Sequence, residues 1–330
     1  MSKRKPTLGV MLHITPQTQH SVTQTLAEFT ELVQTIDQLG FDEAWVTEHH
    51  FNEYSLTPSP LLLMAHFLAH TTQLKLGAAA VLLGFHNPIA IAEQLALLNS
   101  LYPQRVVCGF AKGGPFEAQN AVFNMDRDVS RTRMQEALPA MLTLFQHEVA
   151  SHQGVHFQWS NVALQPKTRL APESWFVASA DEATIQLAAE QGFGLMAAQF
   201  WPQEKIAQLI QTYQGYAQSK QPVNMMAARG VLIREHTDDA RHQAWLHIQS
   251  VRTQKSQLWG KEKGPMTSLS EDELVARMLV GTVEEVRRQT QSLLNLGVAR
   301  LALNPLSAEH GCRLAQLERF KREIWPEWLC

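Results

Sequence analysis

The sequence is poor in cysteine, has little charge of either sign in excess, and lacks long apolar runs. Three cysteines in 330 residues cannot form a disulfide framework, and an odd number favours a reducing cytoplasm as the location. No apolar run reaches the roughly 18 residues of a membrane helix, so no membrane association is expected. The basic start of the chain has no apolar segment behind it, which argues against a signal peptide.

Two nucleotide-binding fingerprints are also missing. No G-x-G-x-x-G opens a helix and no G-x-x-x-x-G-K-[ST] occurs, which excludes the common dinucleotide and P-loop sites. Twenty-eight basic and 31 acidic residues give a net charge of −3, so we expect no nucleic-acid partner. An apolar fraction of 45% with 18% charged residues is typical of a globular chain with a sizeable core.

What the chain has is a regular alternation of short apolar strands and longer amphipathic helices. Eight strands are predicted, each followed by a helix: Thr7–His13, Glu43–His49, Leu74–Leu83, Arg105–Lys112, Ser174–Ser179, Gly194–Gln199, Met225–Ile233 and Arg300–Leu303. Eight such units in a chain of this length predict an α/β fold, a (β/α)8 TIM barrel. We expect one domain over residues 1–330, with insertions at about 113–164 and 252–280, after strands 4 and 7.

The two insertions have their own predicted elements. In the first we expect a loop over Gly113–Val129, a helix over Ser130–His147 and a short β segment over Gly154–Leu164. In the second, the polar and poorly periodic stretch Arg252–Ser270 predicts a mobile loop. A helix is predicted to follow it over Glu271–Val280.

The active site of a barrel of this kind lies at the carboxyl ends of the strands. The second strand ends in Glu48-His49-His50, and consecutive residues of a strand point to opposite sides. One of the two histidines is therefore a candidate general acid/base or hydrogen-bond donor to a ligand. The alternative is a buried histidine held by Glu48 or by a backbone carbonyl.

Cationic residues and a helix start at the same rim form a candidate anion site. Lys112, Arg131 and the segment from Ser179 to Thr184 could together hold a phosphate, because a helix N-terminus offers free N–H groups. For each residue alone, a solvated surface position with helix capping explains the sequence better. No metal site is predicted, since His66 and His70 lie on an outer helix without an acidic companion.

Several short motifs resemble bacterial luciferase and the luciferase-like flavin monooxygenases. The first is Gly40-Phe41-Asp42, followed by Trp45 and by Glu48-His49-His50-Phe51. Further segments match in the family's order: Gly77–Ala80, Asn87–Glu93, Phe123–Arg131, Ser179–Gly192, Gly281–Val286 and Leu303–Pro305. The matches extend from the first strand to the eighth, so the resemblance covers nearly the whole chain.

The resemblance implies a two-component monooxygenase that oxygenates a small organic substrate. Reduced FMN would come from a separate flavin reductase, and O2 would add to it to form a flavin peroxide. His49 would be the catalytic acid/base, with a non-proline cis peptide between Ala79 and Ala80 beneath the flavin. The cofactor-binding residues implied are Glu48, Ala79, Ala80, Lys112, Arg131, Ser179, Ala180, Asp181 and Thr184. The family also implies a homodimer formed through the helices that follow the first strands, and a lid over 252–270.

Two positions depart from the family pattern. Luciferases carry a cysteine after strand 4 where this chain has Ala111, which argues against light emission. Asp181 stands where serine is usual, and its carboxylate either repels a phosphate by about 1 kcal/mol or caps its own helix. Two alternatives stay open: a non-catalytic flavin-binding protein or regulatory subunit on the same barrel, and a deazaflavin-dependent oxidoreductase.

Overall fold

Eight parallel strands close into a barrel in the computed structural model, which describes residues 5–17, 19–51, 55–114, 116–218, 222–256 and 268–325. In chain order the barrel strands are β1 (Thr7–Leu12), β2 (Glu43–Val46), β3 (Lys75–Leu82), β4 (Val106–Ala111), β7 (Trp175–Val177), β8 (Gly194–Ala197), β9 (Met225–Ile233) and β11 (Val298–Pro305). Each pairs with the next, and parallel pairing of β11 with β1 closes the ring. The predicted barrel is confirmed.

The helices surround the barrel and follow its strands. They are α1 (Val22–Gln38), α2 (Pro60–Ala69), α3 (Pro88–Leu101), α4 (Glu117–Val122), α5 (Arg127–Gln146), α6 (Glu182–Gln191), α7 (Gln203–Tyr216), α8 (Thr237–Ser256), α9 (Glu271–Val275), α10 (Val283–Leu296) and α11 (His310–Glu323). Within the described part of the chain, no helix combines the length and apolar character needed to cross a membrane.

Helix ends follow from local sequence. Ser21 forms a capping box at the start of α1, and Asn87 caps α3 directly before Pro88, a residue suited to the first turn. The helices α6 and α10 end at Gly192 and Gly297, both in the left-handed conformation that glycine adopts without steric cost.

The first insertion lies between β4 and β7 and differs from its prediction at one end. The segment Gly113–Val129, predicted as a loop, contains α4 and the first turn of α5. That turn forms because the Asp126 side chain accepts hydrogen bonds from two N–H groups of α5 and caps it. The β segment predicted over Gly154–Leu164 contains β6 (Gln158–Val162), and its antiparallel partner β5 (Ala150–Gln153) lies before the predicted range.

The second insertion corrects another prediction. The helix expected over Glu271–Val280 stops with α9 at Val275, and β10 (Leu279–Gly281) then pairs in parallel with β9. Sequence periodicity predicts a helix for the apolar residues after α9, because it does not show that an open edge of β9 lies beside them. Residues 252–256 belong to α8, and the rest of the predicted loop up to 267 lies outside the described residues.

The barrel interior is filled by large side chains at its base and lined by small ones near its mouth, the rim at the carboxyl ends of the strands. At the base, Arg300 forms a buried ion pair with Glu43, and Glu43 also accepts a hydrogen bond from the Trp45 indole. Ala79 and Ala178 pack against the interior cluster and remain partly exposed. The base is therefore closed, while the small side chains of Ala79 and Ala178 form a partly exposed floor below the mouth.

Candidate active site

A buried carboxylate connects the ends of β2 and β3. The side chain of Glu48 is fully buried, and its Oε1 accepts hydrogen bonds from Nε2 of His50 at 2.8 Å and Nε2 of His86 at 2.7 Å. Its Oε2 accepts from the backbone N–H of Leu82 at 3.0 Å. Burial raises the pKa of this carboxyl, whereas the hydrogen bonds from His50, His86 and Leu82 lower it. Together the hydrogen bonds outweigh burial, so the pKa of Glu48 lies below its ordinary value. We call Glu48, His50 and His86 the Glu48 cluster.

A cis peptide lies on β3, shortly before the residue whose N–H bonds to Glu48. The bond between Ala79 and Ala80 is cis, as predicted, and precedes the Leu82 N–H that Glu48 holds. On the neighbouring strand, a Cβ on Gly109 would come 2.7 Å from the carbonyl oxygen of Ala78, so a side chain has no room there. Gly109 is therefore a packing position, whereas the small side chain of Ala79 on β3 is partly exposed and leaves the backbone of β3 open to the close approach of a flat group.

His49 and His50 point in different directions, as the sequence predicted. While His50 bonds to Glu48, the ring of His49 lies between His13, after β1, and Phe116, after β4. The ring centroids are 6.0 Å from His13 and 6.1 Å from Phe116. Since β1 and β4 lie on opposite sides of β2 and β3 in the sheet order, this position places the His49 imidazole over the mouth.

Aromatic rings form a wall beside the two histidines. Phe85 stacks on Phe123 with centroids 4.9 Å apart, and Phe123 also meets the edge of the His50 ring at 4.9 Å. Phe51 contacts Phe123 at 5.5 Å, is 59% exposed and has a positive φ of 55°. An exposed phenylalanine in a conformation that bulky residues rarely adopt marks this wall as a feature of the site.

The cationic residues meet at the ends of β4 and β7, as predicted. The carbonyl of Lys112 accepts a hydrogen bond from the hydroxyl of Ser130, which ties the end of β4 to α5. Burial lowers the pKa of Lys112, and the charges of Arg131 and Arg127 lower it further. We call Lys112, Arg131 and Asp181 the Arg131 cluster.

Arg131 is only partly satisfied by the protein. Its NH1 donates to Asp128 at 3.0 Å, while its Nε lies 3.9 Å from Oδ1 of Asp181. The Nε–H is buried and has no hydrogen-bond acceptor among the residues that the structure describes. A buried guanidinium N–H without an acceptor, next to an ammonium group, fits the phosphate of a flavin nucleotide.

Asp181 caps its own helix. Its Oδ2 accepts from the backbone N–H of Thr184 at 3.1 Å, from the Thr184 hydroxyl at 2.8 Å and from Nε2 of Gln135 at 3.0 Å. Of the two roles that the sequence left open for Asp181, the geometry supports the cap. Thr184 is buried with its hydroxyl engaged, whereas Ser179 accepts the Asp181 N–H and Ala180 is exposed at the helix start.

Three residues near the site were not found from the sequence. His13 lies beside His49, His86 completes the Glu48 cluster, and Gln135 holds both Asp181 and Thr184. Gln135 had a signal, because it lies four residues after Arg131 on the same face of α5. His86 had none, since only the fold brings it to Glu48.

Comparison with known proteins gives a family match over most of the chain. A model of the family described as luciferase-like monooxygenase matches residues 7–300. The oxygenase component of the flavin-dependent trigonelline monooxygenase of Acinetobacter baylyi is 29% identical over 177 residues, which are 53% of this chain and 49% of that protein. The matched part of the chain spans about half the length of the curated relatives.

Solved structures share the fold over nearly the full length. The monooxygenase RslO1 from Streptomyces bottropensis has a TM-score of 0.87 at 23% identity, covering 98% of this chain and 99% of that one. The oxygenating constituent of 3,6-diketocamphane monooxygenase from Pseudomonas putida, solved with FMN, has a TM-score of 0.78 at 16% identity and covers 98% of each chain. An F420-dependent secondary alcohol dehydrogenase has a TM-score of 0.76 at 17% identity and covers 97% and 98%. At these identities the likeness concerns the fold alone.

Proposed function

The chain belongs to the luciferase-like monooxygenase family, and we propose that it is the oxygenase component of a two-component monooxygenase that uses reduced FMN and O2 to oxygenate a small organic molecule. The observation that carries the proposal is the buried Nε–H of Arg131, which lacks an acceptor among the described residues and lies at the rim beside Lys112. Together with the Ala79–Ala80 floor, it fits a flat ring with a phosphate at one end.

Binding of the cofactor is divided between the two clusters. We assign the phosphate to Lys112, Arg131 and the backbone and side chain around Ser179 and Ala180. Asp181 turns its carboxylate toward its own helix, which moves part of its negative charge away from the phosphate. The oxygens of Glu48 are already engaged by His50, His86 and Leu82, so we propose that Glu48 holds β3 in place beneath the cofactor and does not contact the cofactor itself.

His49 is the proposed acid/base residue. Its imidazole lies over the mouth, between His13 and Phe116, where it can hold or deliver one proton to a bound substrate. Reduced FMN, supplied by a flavin reductase, provides the two electrons needed to activate O2. The wall of Phe51, Phe85 and Phe123 gives this reaction space an apolar side, which would help to keep water away from a bound cofactor.

FMN is proposed in preference to a deazaflavin. The segment Glu48-His49-His50-Phe51 resembles the luciferase type, and a relative of this chain is named as a flavin-dependent oxygenase component. F420-dependent enzymes share the fold, so a direct comparison of FMN and F420 binding belongs to any test.

The experiment that tests this function is rapid mixing of the protein and photoreduced FMN with O2. We expect re-oxidation to slow at least tenfold against free FMN, with a transient absorbance unlike either reduced or oxidised FMN, because the site excludes water. His49→Gln should keep FMN binding and lose substrate oxygenation. Re-oxidation at the rate of free FMN would contradict the proposal and favour the non-catalytic flavin-binding alternative.

We also propose a homodimer formed through α2 and α3. The packed pair of helices exposes Leu62, Leu97 and Leu101, which are 71%, 52% and 59% exposed. Exposed apolar residues grouped on neighbouring helices favour a protein interface. Sedimentation of the wild-type chain should give a dimer, and Leu97→Glu should shift it to a monomer. An unchanged dimer in the variant would place the interface elsewhere, and the exposed Leu246→Glu on α8 is the matched control.

A further inference from the structure

A cavity opens beside the barrel mouth, away from the Glu48 cluster and the Arg131 cluster. It has a volume of about 560 Å³ and lies at the carboxyl ends of β1 and β11, between these strands and the helices α1, α8 and α11. His13 and Asn304 line it on the barrel side, and Ser250 and Arg313 line it on the helix side. Its size suits a small organic molecule.

The position of the cavity in the ring of strands is informative. Around the closed barrel, β11 and β1 lie directly across from β4 and β7. The Arg131 cluster, to which we assign the cofactor phosphate, is at β4 and β7. A cofactor anchored there leaves the β11–β1 side of the mouth for a second molecule. His49 lies toward this side, because its ring stacks near His13, a lining residue of the cavity.

One donor in the cavity lacks a partner. Arg313 is only 5% exposed, donates from NH2 to Glu28 at 3.3 Å, and lies over the Phe29 ring at 4.6 Å. Its Nε–H is buried with no hydrogen-bond acceptor anywhere in the described ranges of the chain. Glu28 also lies 2.8 Å from Nδ1 of His20, so its carboxylate is shared between two partners. The Nε edge of Arg313 thus remains for a ligand.

The charges around the cavity favour a neutral ligand. The positive charge of Arg313 is offset by Glu28, which lies behind the lining, and the carboxylate of Glu309 lines the cavity. Burial and the nearby Arg313 charge lower the pKa of His247 to about 4, so this lining imidazole is uncharged at pH 7. A carboxylate ligand would meet the Glu309 carboxylate and a cation that Glu28 already compensates, whereas a neutral oxygen acceptor meets an N–H without an acceptor.

We infer that this cavity is the substrate subsite and that it takes a neutral organic molecule whose acceptor oxygen bonds to Nε–H of Arg313. The inference rests on the proposed function, since it names the class of molecule that the oxygenase takes. Arg313 is then a specificity-determining residue, and the cavity holds the substrate across the mouth from the phosphate.

Three probes of similar shape test the class of ligand. Acetophenone carries a neutral acceptor oxygen, benzoate carries a carboxylate, and ethylbenzene carries neither, and their dissociation constants can be measured by saturation-transfer NMR or calorimetry. We expect acetophenone to bind about tenfold tighter than the other two, because only its oxygen can pair with the Arg313 N–H at no electrostatic cost. Tighter binding of benzoate, or equal binding of ethylbenzene, would overturn the assignment.

Variants place the probe in the cavity. Arg313→Lys keeps the charge opposite Glu28 but removes the Nε–H, and should weaken acetophenone about tenfold while leaving ethylbenzene unchanged. Should that variant fail to fold, Ser250→Phe serves, since Ser250 is exposed and lines the cavity. It should weaken acetophenone at least tenfold. Gln249→Phe, on the exposed neighbouring position of α8, should change nothing.

The outcome is separable from that of the proposed function. Ser250→Phe should leave the FMN dissociation constant unchanged, because the Arg131 cluster lies across the barrel. If the wild-type chain fails to bind FMN, the proposed function fails while the probe series still tests the cavity. If FMN binds and Ser250→Phe leaves acetophenone binding unchanged, the subsite is wrong and the cofactor site stands.

Discussion

The two charged clusters at the barrel rim differ in how completely the protein satisfies them. In the Glu48 cluster, one buried carboxylate accepts hydrogen bonds from His50, His86 and the Leu82 N–H. In the Arg131 cluster, a buried guanidinium N–H has no acceptor among the described residues. A satisfied buried network holds a structure in place, whereas an unsatisfied donor beside another cation is suited to an incoming anion. We therefore expect the Glu48 cluster to stabilise the fold at the rim and the Arg131 cluster to bind an anion.

The largest expected effect is the loss of stability when the Glu48 cluster is disrupted. Glu48→Ala removes the acceptor of three donors and should lower the free energy of unfolding by about 3 kcal/mol, measured by urea denaturation. Arg131→Ala, also a charge deletion at the rim, should lower it by under about 1 kcal/mol. Equal losses in both variants would remove the distinction between the two clusters.

The pH dependence of stability tests whether the ionised carboxylate of Glu48 is the stabilising group. The pKa of Glu48 is lowered in the folded state, so its contribution is fully present above the ordinary carboxyl value of 4.5 and is lost as the pH falls through the lower folded-state value. The stability difference between the wild-type chain and Glu48→Ala should therefore narrow only below pH 4.5. Narrowing that is already complete above pH 6 would contradict the assignment of the effect to the Glu48 carboxyl.

A smaller effect, a gain in FMN affinity, is expected when the carboxylate that caps α6 is replaced. Asp181→Ser keeps a capping side chain but removes a carboxylate that lies 3.9 Å from Nε of Arg131. FMN should then bind about fivefold tighter, equivalent to about 1 kcal/mol, as measured by fluorescence titration. Weaker binding in this variant would show that the carboxylate itself contacts the cofactor.

The sequence predicted the features that depend on local pattern and on motif order. All eight barrel strands, the cis peptide at Ala79–Ala80 and the convergence of Lys112, Arg131 and Asp181 were predicted. Strand periodicity defines a barrel, and a barrel brings strand ends together. These steps need no knowledge of individual tertiary contacts.

Features that depend on tertiary contacts were not predictable. The strand β10 forms because the edge of β9 accepts it, and His86 reaches Glu48 only through the turn that follows β3. In both cases the deciding partner is distant in sequence. The end of β2 at Val46, before the histidines, was also not predicted.

The assignment of the phosphate to the Arg131 cluster is tested by comparing FMN with riboflavin, which lacks the phosphate, in the wild-type chain and in Arg131→Gln. We expect the variant to raise the dissociation constant of FMN at least tenfold and to leave that of riboflavin unchanged, because a charge-assisted hydrogen bond to phosphate is lost. Arg322→Gln, at an exposed arginine of α11, is the control and should alter neither constant. Equal weakening of both flavins, or no change for FMN, would contradict the assignment of the Arg131 cluster to the phosphate.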